Sequence, residues 1–260
     1  MSIFPGVFIS HGAPDLSLYP SPTRTYLSQL GNKLGKPRAI LMISAHWGTS
    51  QPMTSEVEYP DTLKDFWGFS PKLNSIHYPA LGAPKLAKQV VELLTNAGIA
   101  SDTSKERGLD HGAWVPLRLM YPDADIPVTQ LSIQPHQTPD YHFAIGKILA
   151  PLRQEGILII ASGSATHNLR EFGNYSLDAL PPNWVEEFNQ WLSTTLQEGD
   201  LNKLLKYRRL APYAKQNHPT EEHLLPLFVT LGVGKNLTQV VELHSGYTYG
   251  VFSMASYAFY

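Results

Sequence analysis

Three histidines of this 260-residue chain come at or near the end of an apolar run. The run "GVFIS" leads into His11, "ILMIS" leads into His46, and "ILIIASGS" leads into His167. A lone histidine in such a place is more often a hydrogen-bonded structural residue. Three together predict a metal site, because neutral imidazole is the commonest metal ligand among protein side chains.

The apolar runs themselves predict the fold. The consecutive apolar residues from Ala39 to Ile43 are typical of a strand buried on both faces of a parallel sheet. A helix predicted from about Thr23 to Leu34 separates it from the first strand, and a right-handed crossover puts His11 and His46 at the same sheet edge. Ligands of such sheets bind outside the strand carboxyl ends. The prediction is an α/β fold, a single domain with a central, mostly parallel sheet flanked by helices on both faces and a metal site at the strand carboxyl ends.

The composition limits which metal ligands and partners the chain can have. With no cysteine, the chain has no disulfides, thiolate ligands or cysteine nucleophiles, so a metal would be held by His, Asp, Glu or backbone oxygen. A formal charge of −2 offers no basic surface, which argues against nucleic acid or an anionic membrane as a partner. With 43% hydrophobic residues and no Gly/Ser-rich or charged linker, residues 1–260 are expected to form one domain.

The location of the protein is also an expectation from the sequence. No apolar stretch is long enough to span a bilayer. The start "MSIFPGVFIS" lacks the basic flank and small-residue cleavage pattern of a signal peptide. We therefore expect a cytoplasmic protein.

Two further segments are candidates for the site. In "RGLDHGAWVPL", His111 comes just before a predicted helix, and the preceding Asp110 could orient an imidazole. Residues 59–82 carry many aromatic residues among prolines and glycines, which predicts either a wall or lid over the site or an irregular layer of core packing. His136 and His142 are interpreted as structural or solvated.

The segment "NHPTEEHLLPLFVTLG" predicts a helix that begins near Pro219, with Thr220 as its N-cap. His223 then falls in the first turn, where the positive end of the helix dipole would keep the imidazole neutral. Pro226 conflicts with a regular helix and indicates a kink or a shorter first segment.

Five motifs in order, "SHGAP", "SAHWG", "LDHGAW", "GSATHN" and "HPTEEHLLPL", make the chain resemble the class III extradiol ring-cleaving dioxygenases, DODA type, which act on 4,5-DOPA-like catechols. The resemblance runs from His11 to about residue 255. It implies that His11, His46 and His223 bind the metal. It further implies that His167 lies beside the metal, as a fourth ligand in some members, and that His111 lines the pocket, and it gives two substrate-contact candidates, His218 and Trp47.

The resemblance also implies a cofactor. The parent group more often has a glutamate where this chain has His223. Two histidines and one carboxylate favour non-haem Fe(II), whereas three histidines suit Zn(II) equally well. Dioxygenase activity would need Fe(II), and a Zn(II)-loaded protein would be an inactive form.

The implied reaction takes a small-molecule catechol and O2 and gives a muconic semialdehyde. From DOPA this is seco-DOPA, which can cyclise to betalamic acid or muscaflavin. A catechol must lose protons, so a neutral imidazole is needed as base, and His167 is the expected one. His111 or His167 is expected to donate a hydrogen bond to the charge that develops on oxygen.

Two other functions stay open at this point. A zinc-dependent hydrolase would also use a histidine cluster. A non-catalytic binding protein of the Memo type would share the fold without using a metal. The combined presence of His11, His46, His167 and His223 argues against the binding protein, which has no need of four imidazoles at one sheet edge.

Overall fold

The computed structural model describes residues 3–260 of the chain. Its main feature is an eight-stranded sheet in the order β4-β3-β5-β2-β6-β1-β10-β7, and a two-stranded sheet formed by β8 and β9 lies apart from it. The strands are β1 (Gly6–Ser10), β2 (Ala39–Gly48), β3 (Met53–Ser55), β4 (Asp102–Ser104), β5 (Val128–Ile133), β6 (Ile157–Gly163), β7 (Val240–His244), β8 (Tyr247–Thr248), β9 (Phe252–Ser253) and β10 (Ser256–Phe259).

The helices lie between the strands in chain order. The α-helices are α1 (Pro22–Leu34), α2 (Pro84–Asn96), α3 (His111–Met120), α4 (Pro139–Leu149), α5 (Asn183–Glu198), α6 (Leu201–Leu205), α7 (Tyr207–Leu210), α8 (Ala214–Asn217) and α9 (Leu225–Val233). Short 3₁₀ helices cover Pro14–Ser17, Pro71–Ser75 and Ala150–Glu155. Within residues 3–260, none of the helices combines the length and the apolar character that crossing a bilayer requires.

The central strands β5, β2, β6 and β1 are parallel to one another, while β3 and β10 pair with the outer two of them in the antiparallel direction. Alternate residues of β2 pack on opposite faces, since Ile40 and Met42 join one hydrophobic cluster and Leu41 and Ile43 the other. Helices α1 and α3 cover the first face, and α2, α4, α5 and α9 cover the second. This arrangement confirms the predicted α/β fold with a mostly parallel sheet between helical layers.

Local sequence explains where the first helix begins and ends. The Ser21 side chain accepts a hydrogen bond from the backbone N–H of Arg24, and Pro22 occupies the first turn, where its missing N–H costs nothing. Gly35 ends the helix with φ at 80°, a conformation that favours glycine. The crossover from β1 to β2 passes over β6, which lies between them. His11 and His46 therefore come from strands that are not neighbours.

Candidate metal centre and substrate cavity

Five histidines from five different chain segments line one cavity of about 510 Å³ at the carboxyl edge of the parallel strands. We call them the carboxyl-edge cluster. His11 follows β1, His46 lies near the end of β2, His111 begins α3, His167 lies in the loop after β6, and His223 lies in the turn before α9. The topology thus brings together residues as far apart in sequence as positions 11 and 223.

His11 and His46 face each other through their Nε2 atoms, which are 3.1 Å apart. The Ser162 hydroxyl on β6 donates to the carbonyl oxygen of Gly112 at 2.5 Å, so it must accept a hydrogen bond from Nδ1 of His11 at 2.9 Å. Nε2 of His11 then carries a lone pair. Two imidazole nitrogens at this spacing need a proton or a cation between them.

His223 presents a second unpaired nitrogen to the same place. Its Nδ1 lies 3.0 Å from Oε1 of Glu222, while its Nε2 is buried without a hydrogen-bond partner among the described residues. The turn that carries His223 packs closely on the end of β6, where the Ser164 N–H donates to the His223 carbonyl at 2.9 Å. A Cβ atom at Gly163 would come within 2.1 Å of that carbonyl oxygen, so the approach requires glycine.

Four histidines of the cluster, His11, His46, His167 and His223, are neutral at physiological pH because they are buried. Burial, reinforced by the neighbouring imidazoles, holds the pKa of His11, His167 and His223 well below the usual range. Burial and the nearby His111 lower the pKa of His46 to about 4. Neutral rings keep the lone pairs that a metal ion needs.

These residues fit a metal ion. One ring nitrogen from each of His11, His46 and His223 lies within 4.8 Å of the others. The second ring nitrogens of His11 and His223 are hydrogen-bonded to a hydroxyl and a carboxylate, which is how metal-ligating histidines are usually oriented. The unpartnered Nε2 of His223 is the strongest sign, because a buried polar atom without a partner is costly.

Asp65 adds a carboxylate on one side of the cluster. Its Oδ2 lies 3.0 Å from Nδ1 of His111 and 3.9 Å from Nδ1 of His46. Burial alone would raise the pKa of Asp65, but the hydrogen bonds from the ring and backbone of His111 outweigh burial and lower the pKa to about 2. Asp65 is therefore a carboxylate at neutral pH.

Asp110 precedes His111 in the sequence and was a candidate to orient an imidazole. Its carboxylate instead accepts hydrogen bonds from other groups. Its buried carboxylate caps α3 by accepting from the Ala113 N–H, and it also accepts from the Ser44 hydroxyl at 2.6 Å. Arg107 and Gln130 donate to its other oxygen. Asp110 thus joins the start of α3 to the end of β2.

His167 is held by packing. Its ring stacks on the ring of His223 with centroids 3.4 Å apart and lies 5.5 Å from the ring of Phe252. Its backbone N–H donates to the carbonyl of Asn217 at 3.0 Å. Within residues 3–260 its ring nitrogens make no hydrogen bond, so either one is free to exchange a proton with a ligand.

Aromatic side chains form the rest of the cavity. From the predicted aromatic segment, Phe66, Trp67 and Phe69 line it, and we call these three the aromatic wall. Phe172 and Phe252, from later segments of the chain, also line it. Other parts of the segment pack into the core, since Leu73 and Tyr78 are buried. Part of the segment therefore forms a wall of the cavity, and another part packs in the core.

Neither His218 nor Trp47 is among the described residues that line the cavity. His218 is fully buried, and its Nε2 donates to the carbonyl of Ala165 at 2.9 Å. Trp47 is 8% exposed and lies under the guanidinium of Arg107, 5.2 Å from the ring centroid. Both side chains pack against protein and not against the cavity, so a substrate contact by either residue stays a prediction.

His223 also differs from its predicted setting. Helix α9 begins at Leu225 and not near Pro219, and Thr220 bonds to the side chain of Glu222 instead of capping a helix. Pro226 explains the late start, because proline is tolerated only in the first turn. Burial, reinforced by the neighbouring imidazoles, lowers the pKa of His223, and His223 precedes the helix instead of lying in its first turn.

Sequence reasoning missed two carboxylates of the cavity, Asp65 and Glu222. Asp65 precedes the aromatic residues 66–69, so a carboxylate beside a predicted wall was a usable signal. Glu222 adjoins His223, but adjacent side chains often point apart, and nothing in "TEEH" says which glutamate faces the cavity.

Comparison with known proteins agrees with this geometry. Residues 19–260 match the family model described as the catalytic LigB subunit of aromatic ring-opening dioxygenase. The chain is 44% identical over 256 residues to a 4,5-DOPA dioxygenase extradiol of Beta vulgaris, covering 97% of this chain and 95% of the relative. It is 39% identical over 259 residues to the protein of the same name from Escherichia coli K12, covering 97% and 93%.

A solved structure has the same fold. The crystal structure of an uncharacterised protein from Escherichia coli K12 superposes with a TM-score of 0.80 at 35% identity, covering 99% of this chain and 100% of the other. Together with the full-length relatives, these matches identify the class of enzyme and its two substrates. The chain belongs to the LigB family and is a metal-dependent extradiol ring-cleavage dioxygenase that acts on a catechol and O2.

Proposed function

We propose that this dioxygenase opens the ring of DOPA, or of a catechol closely similar to it, to a muconic semialdehyde that contains both atoms of O2. From DOPA the product is seco-DOPA, which can cyclise to betalamic acid or muscaflavin. The observation that carries the proposal is the carboxyl-edge cluster at the base of an aromatic cavity large enough for one substituted ring. Relatives that cover nearly the whole chain and are named for the DOPA reaction support the choice of substrate.

His11, His46 and His223 are the proposed metal ligands, and Fe(II) is the proposed metal. Bound there, Fe(II) would supply a Lewis acid for the catechol oxygens and the redox chemistry that O2 requires. Zn(II) fits the same nitrogens but has no redox chemistry, so it would give an inactive form. The proposed catalytic unit is the single domain formed by residues 1–260.

Proton transfer is assigned to the two remaining histidines of the cluster. A catechol must lose its hydroxyl protons, and His167 is the proposed base because its ring is neutral and makes no hydrogen bond of its own to the described residues. His111 faces the same cavity and is the proposed hydrogen-bond partner of the oxygen on which charge develops.

The aromatic wall is proposed to hold the substrate ring. Phe66, Phe69 and Phe172 all line the cavity, with the ring centroids of Phe69 and Phe172 6.4 Å apart, so a planar ring packed against them would replace water with aromatic contacts. Excluding water strengthens the hydrogen bonds and charges of the site. Trp67, which is 88% exposed, lies at the rim and would be covered by a bound substrate.

The test is anaerobic reconstitution with Fe(II), addition of L-DOPA, and then admission of oxygen. We expect a yellow ring-opened product, with one O2 consumed for each DOPA, and no reaction from protein loaded with Zn(II). NMR of the cyclised product identifies which ring bond was cut.

Three outcomes would overturn the proposal in different ways. Oxygen uptake with other catechols and not with DOPA would reject the substrate alone. Hydrolysis of esters or amides without oxygen would favour a zinc-dependent hydrolase. Absence of turnover with every metal and catechol would favour a binding protein.

A further inference from the structure

One carboxylate holds His111 at two points. Oδ1 of Asp65 accepts the backbone N–H of His111 at 2.9 Å, and Oδ2 lies 3.0 Å from Nδ1 of the ring. The His111 side chain is 8% exposed and the Asp65 side chain 25% exposed, so both contacts are largely shielded from water. Two bonds from one carboxylate to the main chain and ring of one residue fix the position of the ring and also its rotation.

These contacts decide which nitrogen of His111 carries a proton. An ionised carboxylate can only accept hydrogen bonds, so Nδ1 must be the donor. In the neutral ring Nε2 then has a lone pair. The ring of His167, by contrast, has no such partner among the described residues, and its tautomer is left open.

The chain around Asp65 is held by other bonds. The N–H of Leu63 donates to the carbonyl of Leu109 at 2.8 Å, and the N–H of Leu109 donates to the carbonyl of Asp61 at 2.8 Å. The indole N–H of Trp114 donates to the carbonyl of Leu63 at 3.0 Å. The aromatic wall therefore does not depend on the Asp65 carboxylate for its place.

We propose that Asp65 is a positioning residue of the ring-cleavage reaction, which acts by holding His111 in its Nδ1–H tautomer with Nε2 turned to the substrate cavity. Its kinetic test rests on the proposed function, since it uses DOPA as the substrate. Carboxylates that orient metal-ligating histidines through the far ring nitrogen typically contribute about 10- to 100-fold to activity or metal affinity, and we expect a similar contribution for the carboxylate that orients His111.

The first experiment compares Asp65→Asn with Asp61→Asn in protein reconstituted with Fe(II). An asparagine at 65 has one acceptor oxygen and one NH2 group, so it can satisfy only one of the two N–H groups of His111. We expect Asp65→Asn to lose about 10- to 100-fold in kcat for L-DOPA, with KM and metal content close to wild type. Asp61 is exposed in the same segment, and Asp61→Asn should match wild type throughout.

The second experiment reads the tautomer directly and does not depend on turnover. Long-range ¹H–¹⁵N spectra of histidine-labelled protein loaded with diamagnetic Zn(II), at pH 8, distinguish Nδ1–H from Nε2–H, and His111→Gln identifies the signal. We expect Nδ1–H for His111 in the wild type and in Asp61→Asn, and a shift toward Nε2–H in Asp65→Asn.

Three results would overturn the inference. The first is wild-type kcat in Asp65→Asn. The second is loss of the metal from that variant, which would make Asp65 a ligand. The third is an Nε2–H tautomer for His111 in the wild type. Should the wild type fail to cleave DOPA, the proposed function fails, and the spectra still decide the role of Asp65.

Discussion

Two regions of this protein that contain buried histidines differ in what the ring nitrogens meet. In the carboxyl-edge cluster, Nε2 of His11 faces Nε2 of His46, and Nε2 of His223 has no partner among the described residues. His142, on α4, is equally buried, but its Nδ1 donates to the Thr138 carbonyl at 2.9 Å and its Nε2 accepts from the Gln134 N–H at 3.2 Å.

The comparison separates ligands from structural histidines better than burial does. Burial lowers the pKa of His142 to about 4, so both regions hold neutral rings at pH 7. The cluster keeps lone pairs directed at a common point, whereas His142 has used both nitrogens within its own surroundings. A metal ion is therefore expected to bind and stabilise only the first region.

The largest effect is expected from His46→Ala, which removes one of the nitrogens that face the common point. We expect loss of stoichiometric Fe(II) or Zn(II), and with it loss of detectable ring cleavage, because the two remaining ligands cannot hold the ion tightly. Metal analysis after gel filtration measures binding. The matched control is His142→Gln, which should keep the metal; equal loss from both variants would remove the distinction between the regions.

His167→Ala is expected to have the next largest effect. The ring lies beside the proposed ligands but is not one of them, so the metal should stay while turnover of L-DOPA falls by about 10²-fold or more, the usual contribution of a general base. Metal content and steady-state rates are measured on the same preparation. Wild-type rates in this variant would leave His111 as the proton acceptor.

The carboxyl-edge region was predictable from sequence because its strands are. Strands buried on both faces leave unbroken apolar runs, and the residue that ends such a run must lie at the sheet edge. His11, His46 and His167 follow from that rule alone. Hydrogen bonds between segments that are distant in sequence leave no comparable sequence pattern. Asp65 lies 46 residues from His111 along the chain, and only the folded structure shows that they are bonded.

The orientation of His218, which lies outside both regions, could not be predicted from sequence in the same way. His218 belongs to a motif with His223, yet its ring packs against Phe188 and Tyr207 outside the cavity. Sequence specifies that a histidine is present, but which way the ring turns depends on contacts with helices formed elsewhere in the chain. Pro226 was visible as a conflict with a helix, and the structure resolves it by starting α9 one residue earlier, at Leu225.

A smaller effect, on stability alone, is expected at His142. His142→Ala leaves the Gln134 N–H and the Thr138 carbonyl without their partners in a buried place, so the free energy of unfolding should fall by about 2 kcal/mol or more. His142→Gln can donate and accept in place of the ring and should lose less. Urea denaturation gives the free energies, and kcat of the folded fraction should be unchanged, unlike that of any cluster variant.

The smallest effect is the pH dependence of stability that His142 contributes. Its pKa is lowered from 6.5 in the unfolded chain to about 4 in the folded protein, so the unfolded state binds the extra proton between these values. The contribution of His142 to the free energy of unfolding is complete above pH 6.5 and is lost as the pH falls toward 4, by at most about 3 kcal/mol.

The measurement is the free energy of unfolding of metal-free protein between pH 6.5 and 4. It should fall less steeply with falling pH in His142→Gln than in wild type. The difference in slope corresponds to at most one proton, about 1.4 kcal/mol per pH unit. If the free energy of unfolding had the same pH dependence in wild type and His142→Gln, the pKa of His142 would not be lowered in the folded protein. Lowering of the histidine pKa by burial would then not be common to the two regions.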